Sequence, residues 1–206
     1  MHISEGILTS TTSGLVVASL GFALSGIGVS IGLRRLEYDQ IPKAGVLGAA
    51  FFVISLVPIP VGIGSVHLLL SGLMGIMLGW VAFPTIAVAL TLQAVFFGDG
   101  GLSALGVNTL SMGLPAVLCS LLFARPGRRP YDRVTALRSG FFAGMFTVLC
   151  GVLIVAAALV LTDLSLSKIT MVFLAANFAL APIEGLVTAA TLAFVYRVQP
   201  SLLATE

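Results

Sequence analysis

Charge is what this sequence has least of. Asp, Glu, Lys and Arg make up 9% of its 206 residues, against about 25% in a soluble globular domain. With 58% hydrophobic residues and a mean hydropathy of +1.14, the chain reads as an integral membrane protein. Cysteine is nearly absent: Cys119 and Cys150 both fall inside apolar stretches, which excludes a disulfide framework and leaves two small buried residues. No G-x-x-x-x-G-K-[ST] occurs, so the chain cannot hold ATP by that loop. Neither H-E-x-x-H nor G-x-S-x-G occurs, and no serine has a histidine placed as an evident base, which argues against an intramembrane enzyme. No Lys or Arg precedes Arg34. A signal peptide needs a basic leading region, so Met1 is expected to stay as the first residue of the mature protein.

What is there is a series of apolar runs. A membrane-crossing helix takes about 20 mostly apolar residues. Breaks at charges, Pro and Gly divide the chain into seven candidates, roughly 12–33, 44–62, 67–82, 84–97, 103–124, 139–161 and 171–196. As one helix, 67–97 would be about 46 Å long, more than a hydrocarbon core of about 30 Å. A hairpin turning near "GWVAFP" is therefore expected. Charge supports it, because cytoplasmic loops collect Lys and Arg. With seven spans and the N-terminus outside, every basic residue but Lys168 falls on the cytoplasmic side. The expectation is an all-α integral membrane protein, one transmembrane domain over 1–206, N-terminus extracytoplasmic and C-terminus cytoplasmic. The Arg-rich loop 125–138 is then cytoplasmic, and orientation by the positive-inside rule explains it.

This topology gathers "MHISEG", "PIPVGIGSVH", "FFGDGG" and "LTDLSLSKIT" at the outer end. Both histidines of the chain, His2 and His67, lie there with Glu5 and Asp99. Gln93, Asn108, Asn177 and Glu184 interrupt the apolar spans, where polar groups face the bundle or a site. Glycines four apart, as in Gly28/Gly32, Gly75/Gly79 and Gly140/Gly144, permit close helix packing.

A free N-terminus beginning Met-His is a chelator. The α-amine of Met1, the backbone nitrogen of His2 and its Nδ1 close fused rings on one metal. The backbone nitrogen binds only if the metal displaces its proton, which suits Ni(II) and Cu(II) in a square-planar nitrogen field and not tetrahedral zinc. His67 could fill the open planar position through an imidazole nitrogen. A histidine near a membrane surface is also an ordinary interfacial residue, and the residues alone leave both readings open. Asp99 reads as a turn residue or as a carboxylate orienting a liganding imidazole. Glu5, Gln93 and Glu184 are further candidates behind the ligands, with capping or packing as their ordinary roles.

At "MHISEG", "SVHLLLSGLMGIMLG", "QAVFFGDGGLSALGVNTLSMGLP" and "PIEGLVTAA" the chain resembles the membrane substrate-binding (S) components of energy-coupling-factor transporters for nickel and cobalt, the NikM/CbiM family. The resemblance runs from the first residue to the last span. It departs at Ile7 and Thr9, where family members often carry an aromatic residue and a proline. It implies a seven-helix bundle whose N-terminal segment tucks back into the protein, with the metal on Met1, His2 and His67. The implied cargo is Ni²⁺, with Co²⁺ as the alternative. The implied partners are a transmembrane coupling subunit, cytoplasmic ATPase subunits and, in addition, a small accessory membrane subunit, all in a bacterial or archaeal cell membrane. Nucleic acid is not among them. An S-component for an organic vitamin is the competing function; its site should be lined by aromatic rings, and the one tryptophan, Trp80, stands at the expected cytoplasmic turn.

Overall fold

The structure, a computed structural model, describes residues 3, 6–57, 59–61, 64–124, 132–199 and 202. It is helical apart from one small ribbon: α1 (Thr12–Arg34), α2 (Ile41–Ser55), β1 (Ile59–Val61), β2 (Gly64–Val66), α3 (Ser71–Leu78), α4 (Ala82–Phe97), α5 (Leu105–Phe123), α6 (Arg133–Thr162) and α7 (Ser167–Val198). Among the described residues, five stretches are long and apolar enough to cross a membrane: Thr12–Arg34, Ser71–Phe97, Leu105–Phe123, Arg133–Thr162 and Thr170–Val198. The second takes α3 and α4 together. At 15 residues, α2 is shorter than the usual span of about 20.

Local chemistry sets the helix ends. The Thr11 hydroxyl accepts the Gly14 amide at 3.0 Å, and the Asp132 carboxylate accepts the Thr135 amide at 2.9 Å. Each satisfies an amide that has no partner within its own helix. A proline in the first turn opens α2, where a missing N–H costs nothing.

Several expected boundaries are corrected: α6, expected from 139, starts at Arg133, and α7, expected from 171, starts at Ser167. The second span, expected over 44–62, stops as helix at Ser55, and Ile59–Val61 pairs antiparallel with Gly64–Val66 instead. Pro60 lies in that ribbon opposite Ser65; a proline can neither donate to a helix nor fit against its preceding turn. The third helix, expected from 67, starts at Ser71, leaving 67–70 as a connection. Further on, α3 ends at Gly79 with φ +56°, a left-handed conformation that glycine adopts without penalty. A 3-10 turn over Gly79–Val81 leads into α4. As one straight helix, the 27 residues of Ser71–Phe97 would run about 40 Å. The break instead lets the start of α3 and the end of α4 approach the same end of the bundle.

Burial ranks the helices. Within the α3–α4 stretch 72% of the most apolar window is buried, against 28% for α1, so α3 and α4 form the centre and α1 an outer wall. The largest helix interface joins α6 to α7. There Gly144 stands so close to the Glu184 carbonyl that an added Cβ would lie 2.7 Å from it. Both cysteines are free thiols, and Cys119 is buried with its thiol donating to the Gly72 carbonyl at 3.7 Å. Of the Arg-rich loop, 125–131 lies outside the described residues, while Arg133 and Arg138 open α6.

Candidate metal centre

His67 sits on the connection between β2 and α3, half-buried, and the sequence just after it explains how that connection is held. Leu70 caps α3 with φ +51° and is the one non-glycine residue with positive φ among the described residues. That conformation costs an L-residue about 1–2 kcal/mol. A carboxylate offsets it: Glu184, fully buried on α7, accepts the Leu69 amide at 3.0 Å and the Leu70 amide as well. These amides stand at the start of α3, where no intrahelical acceptor exists. Glu184 thus supplies, from another helix, the cap that "HLLLS" cannot supply locally. It acts on the backbone two and three residues past His67.

The imidazole has its own partners. Burial pushes its pKa below the ordinary histidine value, while the Asp99 carboxylate and hydrogen bonding to the carbonyls of Ser55 and Val57 pull upward. Burial wins, so the neutral form that binds metal is favoured. A carboxylate and backbone carbonyls are the groups that orient a liganding imidazole through its second nitrogen. Asp99 follows Gly98, which has φ +70°, and its amide donates to the Gln93 carbonyl at 3.4 Å. Gln93 is buried; its Nε2 donates to the Phe52 carbonyl at 3.1 Å and to Ser55 Oγ. Gln93 therefore pins the end of α2, where the carbonyl of Ser55, and that of Val57 just beyond the helix, hold His67.

The N-terminal segment enters the same structure. Ile3 is buried; its amide donates to Asn108 Oδ1 at 2.9 Å, and its carbonyl accepts from Asn108 Nδ2 at 3.2 Å. The buried core that takes in Ile3 and Leu8 also takes in Leu69. The hydroxyls of Thr11 and Ser13 both donate to the Thr162 carbonyl, at 3.2 and 2.7 Å. Met1, His2 and Glu5 lie outside the described residues. Among the described residues no group of three His, Cys, Asp or Glu side chains could hold a metal ion. The structure thus gathers His67, Asp99, Gln93 and Glu184 around one connection, with Gln93 and Glu184 acting on backbone. Asn108 is the residue sequence reading did not place in the site. Its signal was an amide in an apolar helix; its partner, 105 residues away, was not legible.

Long apolar helices with buried polar groups at one end make this a multi-pass membrane protein. The chain belongs to the CbiM family, the cobalt uptake substrate-specific transmembrane region, whose profile matches residues 2–202. It is 32% identical to the cobalt transport protein CbiM of Geobacter sulfurreducens over 99% of this chain and 62% of that one. It is 35% identical to the fused nickel transport protein NikMN of Rhodobacter capsulatus over 55% of this chain and 33% of that one. The chain spans 57% and 62% of the length of the first two curated relatives it matches. A crystal structure of a transition metal transporter shares the fold with a TM-score of 0.80, at 21% identity, over 96% of this chain and 93% of that one.

Proposed function

We propose that this chain captures Ni²⁺, with Co²⁺ as the alternative cargo, at the extracytoplasmic end of a seven-span bundle in the bacterial or archaeal cell membrane. The metal is held in a plane by the Met1 α-amine, the His2 backbone nitrogen, His2 Nδ1 and an imidazole nitrogen of His67. Uptake is driven by partners, a transmembrane coupling subunit and cytoplasmic ATPases, with a small accessory membrane subunit. One observation carries the reading: Ile3 is clamped through both its amide and its carbonyl by buried Asn108. The residue after His2 is thereby anchored inside the protein. Support comes from the partners that orient His67 and from the cobalt and nickel transport proteins among the relatives. A terminal amine and a deprotonated amide favour metals that accept planar nitrogen fields, which is why nickel is placed first.

His67→Ala should weaken Ni²⁺ binding without abolishing it, since three nitrogen donors remain. The loss should at least match the ~10–100-fold typical of removing a group that merely supports a ligand. Metal titration of the detergent-purified chain reads it, and parental affinity in His67→Ala would overturn the fourth ligand. The visible spectrum of the loaded protein should show the d–d band of planar nickel–peptide complexes.

Affinity should fall steeply with acid. The α-amine, with an ordinary pKa of about 7.7–8.0, and the His2 amide both release protons on binding. Below the amine pKa this amounts to about a hundredfold loss per pH unit. His67, its pKa lowered by burial, adds competition only further into the acid range. Calorimetry in buffers of different ionisation enthalpy counts the protons released; zero protons would contradict amide coordination.

A further inference from the structure

A groove of about 460 Å³ runs between α2 and α4, at the end of α1 where Arg34 and Arg35 stand. One wall is a helical stripe of α2 that includes Ile41, Gly45 and Phe52; the other is a stripe of α4 that includes Pro84 and Val88. Leu33 and Leu36 line it at the end of α1. Every lining residue is apolar except Thr85, whose hydroxyl is turned to the Val81 carbonyl at 2.8 Å. The walls meet along part of their length. A Cβ on Gly48 would stand 2.8 Å from Thr85 Cγ2, and further on Gln93 bonds the Phe52 carbonyl and the Phe52 and Phe97 rings lie 5.9 Å apart. Beside Gly45, by contrast, nothing lies within 4 Å of where a Cβ would be. The cleft therefore closes toward Phe52 and opens toward Ile41. An apolar cleft of about 460 Å³ has the volume for an unbranched hydrocarbon chain.

The open end carries a particular order of charge. Arg34 and Arg35 end α1, and Glu37 and Asp39 follow within the connection to α2. The Arg35 guanidinium lies 5.3 Å from the centre of the Trp80 ring, next to the groove residue Val81. Lys43 is turned away, its Nζ donating to the Leu202 carbonyl at 2.8 Å. Two cations followed by two anions leave no net charge for an anionic headgroup. They complement a headgroup that carries a phosphate and, beyond it, an ammonium. Tyr38, 90% exposed between the two acidic residues, is an aromatic residue of the kind that sits at headgroup depth.

We propose that this groove binds one phosphatidylethanolamine molecule. An acyl chain lies between α2 and α4, the phosphate meets Arg34 and Arg35, and the ammonium meets Glu37 and Asp39. The bound lipid fixes α2, which α4 holds on one side.

Native mass spectrometry of the detergent-purified full chain, titrated with phosphatidylethanolamine, phosphatidylglycerol or phosphatidylcholine, tests it. One phosphatidylethanolamine should be retained per chain, in preference to the other two. Gly45→Phe, which puts a ring into the open space beside the groove, should cut retention of all three to background with an unchanged helical circular dichroism spectrum. Removing one arginine, as Arg34→Gln, should weaken retention about fivefold, the effect of one basic residue at a membrane surface. Glu37→Gln with Asp39→Asn should turn the preference toward phosphatidylglycerol. Equal retention by Gly45→Phe and the parent chain would overturn the site, and so would equal retention of the three lipids by the parent. Crosslinking of Gly45→Cys in membranes to a second copy or to another polypeptide would equally overturn it, by showing a protein segment in the groove.

Discussion

An extension of several residues ahead of Met1 is expected to abolish high-affinity Ni²⁺ binding, while a tag after Glu206 leaves it intact. The extension converts the Met1 amine into an amide, which no longer offers a lone pair in that ring. His2 then has no terminal amine one residue away. With the amine gone, the metal loses both that bond and the anchor that lets it displace the His2 amide proton. Two donors lost at ~10–100-fold each give a weakening on the order of 10³-fold or more. The length of the extension matters. One added residue would place the histidine third, where amine, two amides and imidazole make a four-nitrogen plane of their own, so the extension must be longer and free of histidine and cysteine. Acetylating the amine is the smaller perturbation and should act alike. Equilibrium metal titration in detergent, with circular dichroism to verify the helices, reads all three proteins. Equal affinities would sink the terminal chelate.

Glu184→Leu is expected to damage both stability and metal binding. The carboxylate accepts from the amides of Leu69 and Leu70 in a fully buried position. Each buried donor left without an acceptor costs about 1–3 kcal/mol, and Leu70 loses the bond that offsets its left-handed backbone. For a chain of this size the two together lower Tm by roughly 10 °C. The connection that carries His67 then loses its tether, and Ni²⁺ affinity should fall by ~10–100-fold. Glu184→Gln keeps an acceptor oxygen and should fall between the parent and Glu184→Leu on both measurements. A Glu184→Leu protein with parental Tm would show that the connection is held otherwise. One with lowered Tm and parental affinity would show that Glu184 supports the fold without positioning His67.

The two predictions rest on features of different legibility. Which segments become helices was readable because hydropathy and breaking residues are local: α1, α4 and α5 match the expected segments to within two residues at either end. The error at α2 came from counting apolar residues through Pro60, which lies in the ribbon and not in the helix; a proline disfavours helix without forbidding it, as Pro115 inside α5 and Pro182 inside α7 show. His67 stood out as one of two histidines, and Asp99 as an acid at the same end, because rarity and topology are properties of the sequence.

The roles of Asn108 and Glu184 could not be read that way. Each shows in the sequence only as a polar residue in an apolar helix, a misplaced group that needs a partner. Those partners are backbone amides 105, 114 and 115 residues distant, and a backbone amide has no letter in the sequence. Membership of the bilayer and the helices, and the chelate proposed at Met1 and His2, were read from the order of residues alone. That Ile3 is clamped to α5, that α3 is capped from α7 and that α2 leaves a groove beside α4 was decided by packing, because these contacts exist only once distant helices have met.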